Sequence, residues 1–362
     1  MTLLHVAYIR DNPFSGVCVV VPQHINSQAQ HENVGFVNIT NEDVGGVKNR
    51  FEYQKDFDIN RLPEPFNKPD LVIFHEVYRK EYLGMYGNLL KNKIPYVIVP
   101  HGELTKEAQH KKRLKKIAAN ILLFNRFTSK ALAIQCLSQK ELEATSFGKA
   151  KFVGTNGLSL PSEHKTSFSE KGTRILYIGR LDVEVKGLDI MMEAIFQKGD
   201  FLREHGCEFY VYGPDLNGRY ARVEALIAER NIGDIVHLNH EIMGEDKKQE
   251  LLKADIFIQT SRSEGMPLGI LEAASYGLPV LITEGTRLGD IISEAGAGWV
   301  ARTDAEAVGN AMEQAVLDRE SYAERSQRAS SFVREMFAWE KVSGETLSEY
   351  RKLITLEKNK RC

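Results

Sequence analysis

The chain has 362 residues, 43% hydrophobic and 27% charged, which is too long for one ordinary domain and long enough for two cores. The four cysteines, Cys18, Cys136, Cys207 and Cys362, lie far apart and form no C-x-x-C pair, which argues against a zinc cage and a disulfide framework and fits a reducing cytoplasm; no run of about 20 apolar residues occurs and the start is only briefly apolar, so neither a membrane span nor a secretory leader is expected. The net charge of −2 conceals an asymmetry, with 21 Lys+Arg against 15 Asp+Glu in residues 1–160 and 26 against 34 in residues 161–362, so the first half is expected to meet an anionic membrane surface or a phosphorylated substrate, and no nucleic acid.

Short apolar runs alternate with helical patterns, as expected of α/β parallel sheets covered by helices on both faces, and the alternation occurs twice. In the first half the runs at 3–9, 34–39, 71–75, 96–100 and 133–137 predict strands. Asp56-Phe57-Asp58 has the D-x-D form used by some metal-dependent enzymes, but it follows no predicted strand end and reads as exposed. The run at 96–100 leads into Pro100-His101-Gly102-Glu103. A histidine at a strand end is a structural hydrogen-bonder more often than a catalyst, and both roles stay open. Further on, Leu114, Ile117, Ala118 and Ile121 repeat at helical spacing while Lys111, Lys112, Arg113, Lys115 and Lys116 cover the remaining surface. Such a helix at 111–122 either has a solvated basic face or rests on anionic lipid headgroups.

The polar stretch 159–173 has no apolar period and reads as a linker between two domains, 1–160 and 161–340, with a last helix at about 341–362 packing back on the first. In the second half strands are predicted at 174–178, 208–212, 235–238, 256–259 and 279–283, with helices at 222–230 and 247–254 and a tail that is helical throughout 305–356. Ligands of open parallel sheets bind beyond the carboxyl ends of the strands, which directs attention to the loops there. After 174–178 come Gly179-Arg180-Leu181 and then Lys186-Gly187. An arginine fork and a lysine point charge can neutralise a diphosphate; the alternative is two solvated loop cations.

After 256–259 comes Ser261-Arg262-Ser263-Glu264-Gly265-Met266-Pro267-Leu268-Gly269-Ile270-Leu271-Glu272-Ala273-Ala274. Pro267 suits the first turn of a helix, which would leave the N–H groups near Leu268 and Gly269 as an anion site, and Gly265 and Gly269 permit close approach to the main chain. Glu264 is placed to face a ligand and Glu272 to reach a group such as a ribose hydroxyl. Alternatively Glu264 is a cap-type acid and Glu272 a surface carboxylate, a reading that leaves the clustered glycines and the turn Tyr276-Gly277-Leu278-Pro279 unexplained. No G-x-G-x-x-G follows the first strand, which argues against a dehydrogenase.

The pattern S-E-G-x-P-x-G-x-x-E-A at Ser263–Ala273, with G-R-x(5)-K-G upstream and Phe337-Ala338-Trp339-Glu340 before the last helix, resembles the family 4 retaining glycosyltransferases of the GT-B fold. The resemblance is strong in the second half and looser in the first. It implies two Rossmann-like domains whose parallel sheets face each other across a cleft, and transfer of a sugar from a nucleotide diphosphate donor, UDP-linked in the first instance, to a saccharide or lipid-linked acceptor in polysaccharide or glycoconjugate synthesis. It implies no cofactor and no metal, and a cytoplasmic protein peripheral at the inner face of the plasma membrane. By this resemblance Arg180 and Lys186 bind the diphosphate, Glu272 the ribose, and the Leu268 and Gly269 amides, at the helix start after Pro267, a phosphate. Glu264, with the Gly265 and Met266 backbone, faces the sugar, and His101 points at it. Gly16, in Asn12-Pro13-Phe14-Ser15-Gly16-Val17, resembles a glycine that lets phosphate approach, though many members have a pair of glycines there. The arginine-to-lysine spacing is one residue longer than in many members. A sugar-nucleotide epimerase of the same fold and a catalytically silent partner subunit are the alternatives.

Overall fold

The computed structural model of the protein describes residues 1–12, 15–110, 123–264 and 266–361. The chain divides into two units, Met1–Gly157 with Trp339–Cys362, and Leu158–Ala338.

Among the described residues of the first unit, the strands β1 (Thr2–Ala7), β2 (Asn33–Asn38), β3 (Arg50–Glu52), β4 (Leu71–His75), β5 (Tyr96–Val99), β6 (Ala133–Cys136) and β7 (Lys151–Val153) form one sheet in the order β3-β2-β1-β4-β5-β6-β7. Every neighbouring pair is parallel. The central strands β1, β4 and β5 are buried along their whole length, which is why they read as continuous apolar runs. Alternate residues then supply opposite faces. Leu3, Ala7, Leu71, Ile73, Val97 and Val99 join one core with Val21 and Ile25 of the helix Gly16–Gln28 and with Leu347, Tyr350 and Ile354 of the last helix. Leu4, Val6, Val72, Phe74, Tyr96 and Ile98 join the other.

The second unit repeats this plan with β8 (Thr173–Ile178), β9 (Cys207–Tyr212), β10 (Val236–Asn239), β11 (Ile256–Gln259), β12 (Val280–Thr283) and β13 (Gly298–Ala301), ordered β10-β9-β8-β11-β12-β13 and parallel throughout. Both sheets reverse direction of growth beside their first strand, between β1 and β4 and between β8 and β11. These are the topological switch points, where the loops diverge and leave a crevice.

Three readings of the sequence need correction. Residues 159–172 are not a free linker, because they pack on the second unit. The buried Asp255 carboxylate accepts hydrogen bonds from the Ser169 N–H at 2.9 Å, the Ser169 hydroxyl at 2.6 Å and the Arg174 N–H at 2.8 Å, while Lys165 Nζ donates to the Leu252 carbonyl at 3.0 Å. The polar composition thus reflects pairing, and the chain changes units at Gly157/Leu158 and Ala338/Trp339. The tail is also not one helical stretch. It comprises Ala305–Leu317, a 3-10 turn Arg319–Ser321, Tyr322–Phe337 and Trp339–Arg361, broken at Ala338 by extended backbone with φ −60° and ψ 133°. Trp339 seats the last helix: its Nε1 donates to Gln23 Oε1 at 3.1 Å, its ring stacks on His24 with centroids 5.6 Å apart, and a Cβ at Gly157 would lie 2.4 Å from its Cδ2. Asp56-Phe57-Asp58, finally, does follow a strand, the short β3, and its acids are engaged locally. Asp58 caps the turn Ile59–Arg61 and Asp56 pairs with Arg61 at 2.6 Å. Among the described residues no helix is long and apolar enough to cross a membrane.

Candidate functional site

The loops that follow β8 and β11 flank the switch point of the second sheet, and each is built to hold one shape. After β8, the Tyr177 hydroxyl donates to the Arg180 carbonyl at 2.8 Å and fixes the main chain there. Asp182 then starts a one-turn helix, Val183–Lys186, by accepting from the Val185 N–H at 3.0 Å, and Arg219 pairs with the same carboxylate at 2.9 Å. Gly187 ends that turn at φ +64°, and a Cβ there would lie 2.0 Å from the Thr260 carbonyl oxygen, so the two loops touch backbone to backbone. Lys186 is therefore the last residue of a short helix and does not open the following one, Leu188–Gln197. The helical turn shortens the path from Arg180, and despite the longer spacing Lys186 Nζ reaches Glu264 Oε1 at 2.7 Å.

Glu264 is the hub of the second loop. Its Oε1 also accepts from Ser261 Oγ at 2.7 Å and from Gln259 Nε2 at 3.1 Å, and both side chains of the Lys186–Glu264 pair are largely buried, 13% and 12% exposed. Three donors on one oxygen fix the carboxylate firmly, which is more than a cap-type acid needs. Sequence reasoning missed Gln259 and Ser261. The available signal was a polar residue, Gln259, closing an otherwise apolar buried strand. Arg180 is exposed, and among the described residues no carboxylate pairs with it. A positive group is thus displayed six residues before a lysine that is already partnered.

The helix after this loop runs Leu268–Ser275, so Pro267 stands at its cap with φ −82° and ψ 83° and not inside the first turn. The Leu268 N–H donates to the Met266 carbonyl at 3.0 Å, which gives that amide an internal partner. Gly269 approaches the Ile178 carbonyl only at ordinary van der Waals distance, 3.6 Å for a built Cβ. Glu272 pairs through Oε2 with Lys247 at 2.5 Å, a half-exposed contact with the helix Gly244–Lys253 that the sequence did not disclose. Gly265 lies outside the described residues, as do Lys111, Lys112, Arg113, Lys115 and Lys116.

In the first unit, Pro100-His101-Gly102-Glu103 forms a turn closed by the Glu103 N–H on the Pro100 carbonyl at 3.0 Å. His101 and Gly102 have φ +49° and +85°, the geometry of a type I′ turn. Positive φ is uncommon for a residue with a Cβ and costs about 1–2 kcal/mol. The turn is held by its neighbours: buried Glu141 accepts from the Gly102 N–H and the Leu137 N–H, each at 2.6 Å, and Glu103 accepts from the Val77 N–H at 2.6 Å. Burial, with His24 as a secondary repulsive group, lowers the His101 pKa to about 3, so its ring is neutral at pH 7. Gly16 opens the helix Gly16–Gln28, and among the described residues a Cβ there would meet nothing within 4 Å, so their packing does not require glycine at this position.

Residues 161–332 match the family model described as glycosyl transferases group 1. The chain is 22% identical over 302 residues to the O-antigen biosynthesis glycosyltransferase WbnH of Escherichia coli, covering 82% of this chain and 81% of that protein. It is 34% identical over 148 residues to the amylovoran biosynthesis glycosyltransferase AmsK of Erwinia amylovora, covering 37% of this chain and 34% of that protein. Over 196 residues it is 26% identical to the GDP-mannose:cellobiosyl-diphosphopolyprenol alpha-mannosyltransferase of Xanthomonas oryzae pv. oryzae, covering 54% of this chain and 51% of that one. With these two curated relatives, then, the likeness spans only about a third to a half of their length. Among solved structures, sucrose-phosphate synthase from Thermosynechococcus elongatus superposes with a TM-score of 0.74 at 17% identity, over 98% of this chain and 100% of that one. Anabaena HepE in complex with UDP and glucose gives 0.72 at 17% identity, over 96% and 100%. At such identity the likeness shows the fold, which is that of the GT-B glycosyltransferases: two Rossmann-like units, each with a parallel sheet.

Proposed function

We propose that the chain is a retaining, metal-independent glycosyltransferase that moves a sugar from a nucleoside diphosphate sugar to a saccharide or lipid-linked acceptor in the synthesis of a surface glycan or glycoconjugate. The observation that carries this reading is the Lys186–Glu264 pair, which ties together the two loops at the switch point between β8 and β11, with Arg180 exposed on the first of them, inside the segment that matches the glycosyl transferase group 1 model.

The chemistry follows from charge. As the glycosidic bond to the diphosphate breaks, negative charge grows on the departing phosphate oxygen and positive charge on the anomeric carbon. Arg180 supplies donors for the first; with the Leu268 amide bonded to Met266, the helix Leu268–Ser275 contributes the positive end of its dipole, and Lys186 adds a third positive source. An ammonium has three N–H donors, so Lys186 can keep Glu264 and still bind a phosphate oxygen. Glu264 holds its carboxylate toward the developing positive charge, and the neutral His101 gives the sugar a hydrogen-bonding partner. The acceptor hydroxyl oxygen bonds to the anomeric carbon from the face the diphosphate leaves, its proton passing to the released phosphate, and configuration is retained. Glu272 takes the ribose with the carboxylate edge that Lys247 leaves open. With protein cations at the diphosphate, the reaction needs no divalent ion, and activity in excess EDTA is the expected outcome; a loss that magnesium or manganese restores would defeat this point.

UDP-sugars come first, since a structural relative is solved with UDP and glucose. A GDP-linked donor is the second reading, favoured by the relative named for GDP-mannose. Thermal shift with both nucleotide series, followed by transfer assays with the stabilising donor, separates them, because a ligand that binds only the folded state raises its apparent stability. Incubation with donor alone distinguishes transfer from epimerisation. The basic segment 111–122 is proposed to hold the protein at anionic lipid. Replacing Lys111, Lys112, Lys115 and Lys116 by Gln should abolish salt-sensitive sedimentation with phosphatidylglycerol vesicles, and equal pelleting of both proteins would end that proposal.

A further inference from the structure

Beneath the turn that carries His101, four histidines and a glutamine form a single hydrogen-bonded chain within the first unit. His101 Nε2 lies 3.1 Å from His75 Nδ1, His75 Nε2 lies 2.9 Å from His5 Nδ1, and His5 Nε2 lies 2.9 Å from Gln28 Oε1. Gln28 Nε2 in turn lies 2.7 Å from His24 Nε2. The sequence builds this row by simple periodicity. His5 shares the sheet face of Leu3 and Ala7, His75 that of Leu71 and Ile73, and both point at the helix where His24 and Gln28 stand four residues apart. β1, β4 and β5 are adjacent, so the rings step across three strands to His101.

His5, His24 and His75 are buried and, among the described residues, interact with no carboxylate, and burial pushes His5 down to about 3, His24 to about 4 and His75 well below the usual imidazole value. Each ring is therefore neutral at pH 7, with one N–H and one lone pair, and such a row has a direction. Donation runs either from His101 inward or from Gln28 outward, and the orientation of the Gln28 amide decides which.

In the structure Gln28 Nε2 is turned to His24 and Gln28 Oε1 to His5 Nε2, so the amide oxygen accepts from His5. His5 must carry its proton on Nε2 and accept at Nδ1, His75 must do the same, and so must His101. Among the described residues no group of three or more His, Cys, Asp and Glu side chains could hold a metal ion, so these rings serve one another.

We infer that His75, His5 and Gln28 are positioning residues that hold His101 as the Nε2–H tautomer, so that its Nδ1 is a hydrogen-bond acceptor for a sugar hydroxyl. The effect on turnover rests on the proposed use of His101 at the sugar, whereas the tautomer does not. Two-bond proton–nitrogen correlation spectra of the 15N-histidine-labelled protein at pH 7 read the tautomer directly. The wild type should show His101, His75 and His5 each as a single Nε2–H form. His75→Phe keeps a ring but removes both nitrogens, so His101 should become a mixture of tautomers and kcat should fall on the order of tenfold with the donor KM little changed. His75→Asn restores an acceptor beside His101 and should restore the single tautomer and most of the turnover. Gln28→Met, which touches neither His75 nor His101, should also loosen the His101 tautomer, and it serves if the His75 variants fail to fold. A wild-type His101 protonated on Nδ1, or a His101 signal unmoved in both His75→Phe and Gln28→Met, overturns the inference. Full activity of His101→Phe would instead remove His101 from the reaction and leave the tautomer result standing.

Discussion

The Lys186–Glu264 pair couples stability to the proposed chemistry more closely than any other contact described. Both side chains are largely withdrawn from water, so removing one partner leaves a charge that the protein must desolvate without compensation. Lys186→Met should destabilise the protein by on the order of 3 kcal/mol in urea unfolding, whereas Lys186→Met combined with Glu264→Gln should recover much of that loss and none of the donor affinity. Stability that stays low in the double variant would show that the pair's role is packing. Glu272 differs: its contact with Lys247 is half exposed and adds at most about 1 kcal/mol, so Glu272→Ala should keep the fold and weaken nucleotide binding, while Glu264→Ala should chiefly lower turnover. Histidine burial has its own signature. His5 and His24 have native pKa values depressed to about 3 and about 4, so below about pH 6.5 the unfolded chain takes up protons that the native protein refuses. Stability should therefore fall as the pH drops from 6.5 toward 4, by about 1.4 kcal/mol per pH unit for each such histidine, as urea melts at pH 7 and pH 5 will measure. Equal stability at the two values would contradict the buried, neutral row.

At the scale of elements, the glycines separate packing from ligand approach. Gly187 is committed to its turn by a positive φ and by the Thr260 carbonyl 2.0 Å from any added Cβ, so Gly187→Ala should cost about 2–3 kcal/mol and disturb both loops of the site. Gly16 has open space and opens a helix where alanine is favourable, so Gly16→Ala should leave the melting temperature nearly unchanged. A fall in activity without a fall in stability would then assign Gly16 to ligand approach, and unchanged activity would remove it from the site. The strands legible in the sequence were those buried on both faces, such as Leu71–His75 and Ile256–Gln259, because they are apolar up to their last residue. β3, β7 and β13 were not legible. Arg50–Glu52 and Lys151–Val153 are three-residue edges with exposed ends, and Gly298–Ala301 begins at a glycine that a Cβ would drive to 1.9 Å from the Val280 oxygen. Long-range pairing hid the rest: the polar run before β8 is tied to Asp255, whose partners become visible only once the chain has folded.

Over the whole molecule, the two halves of the sequence divide the work by charge, a basic one with Lys+Arg in excess by six and an acidic one with Asp+Glu in excess by eight. The acidic half nevertheless places Arg180 and Lys186 just after β8, which an overall count conceals and the motif spacing reveals. Loop positions after the strands were legible because ligand chemistry needs particular residues there; of the partners that fix them, Gln259 and Ser261 stand at the strand end and in the loop itself, whereas Lys247 and Arg219 come from distant positions and carry no local pattern. The central claim is that these loops bind the diphosphate of a nucleotide sugar through protein cations. Isothermal titration calorimetry of the full chain with UDP, GDP and their sugar conjugates, in EDTA, tests it most directly. One nucleotide series should bind, and Arg180→Ala should weaken that binding by about tenfold or more, corresponding to about 1.4 kcal/mol. No binding by any nucleoside diphosphate or its sugar conjugate, or equal binding by wild type and Arg180→Ala, would contradict it.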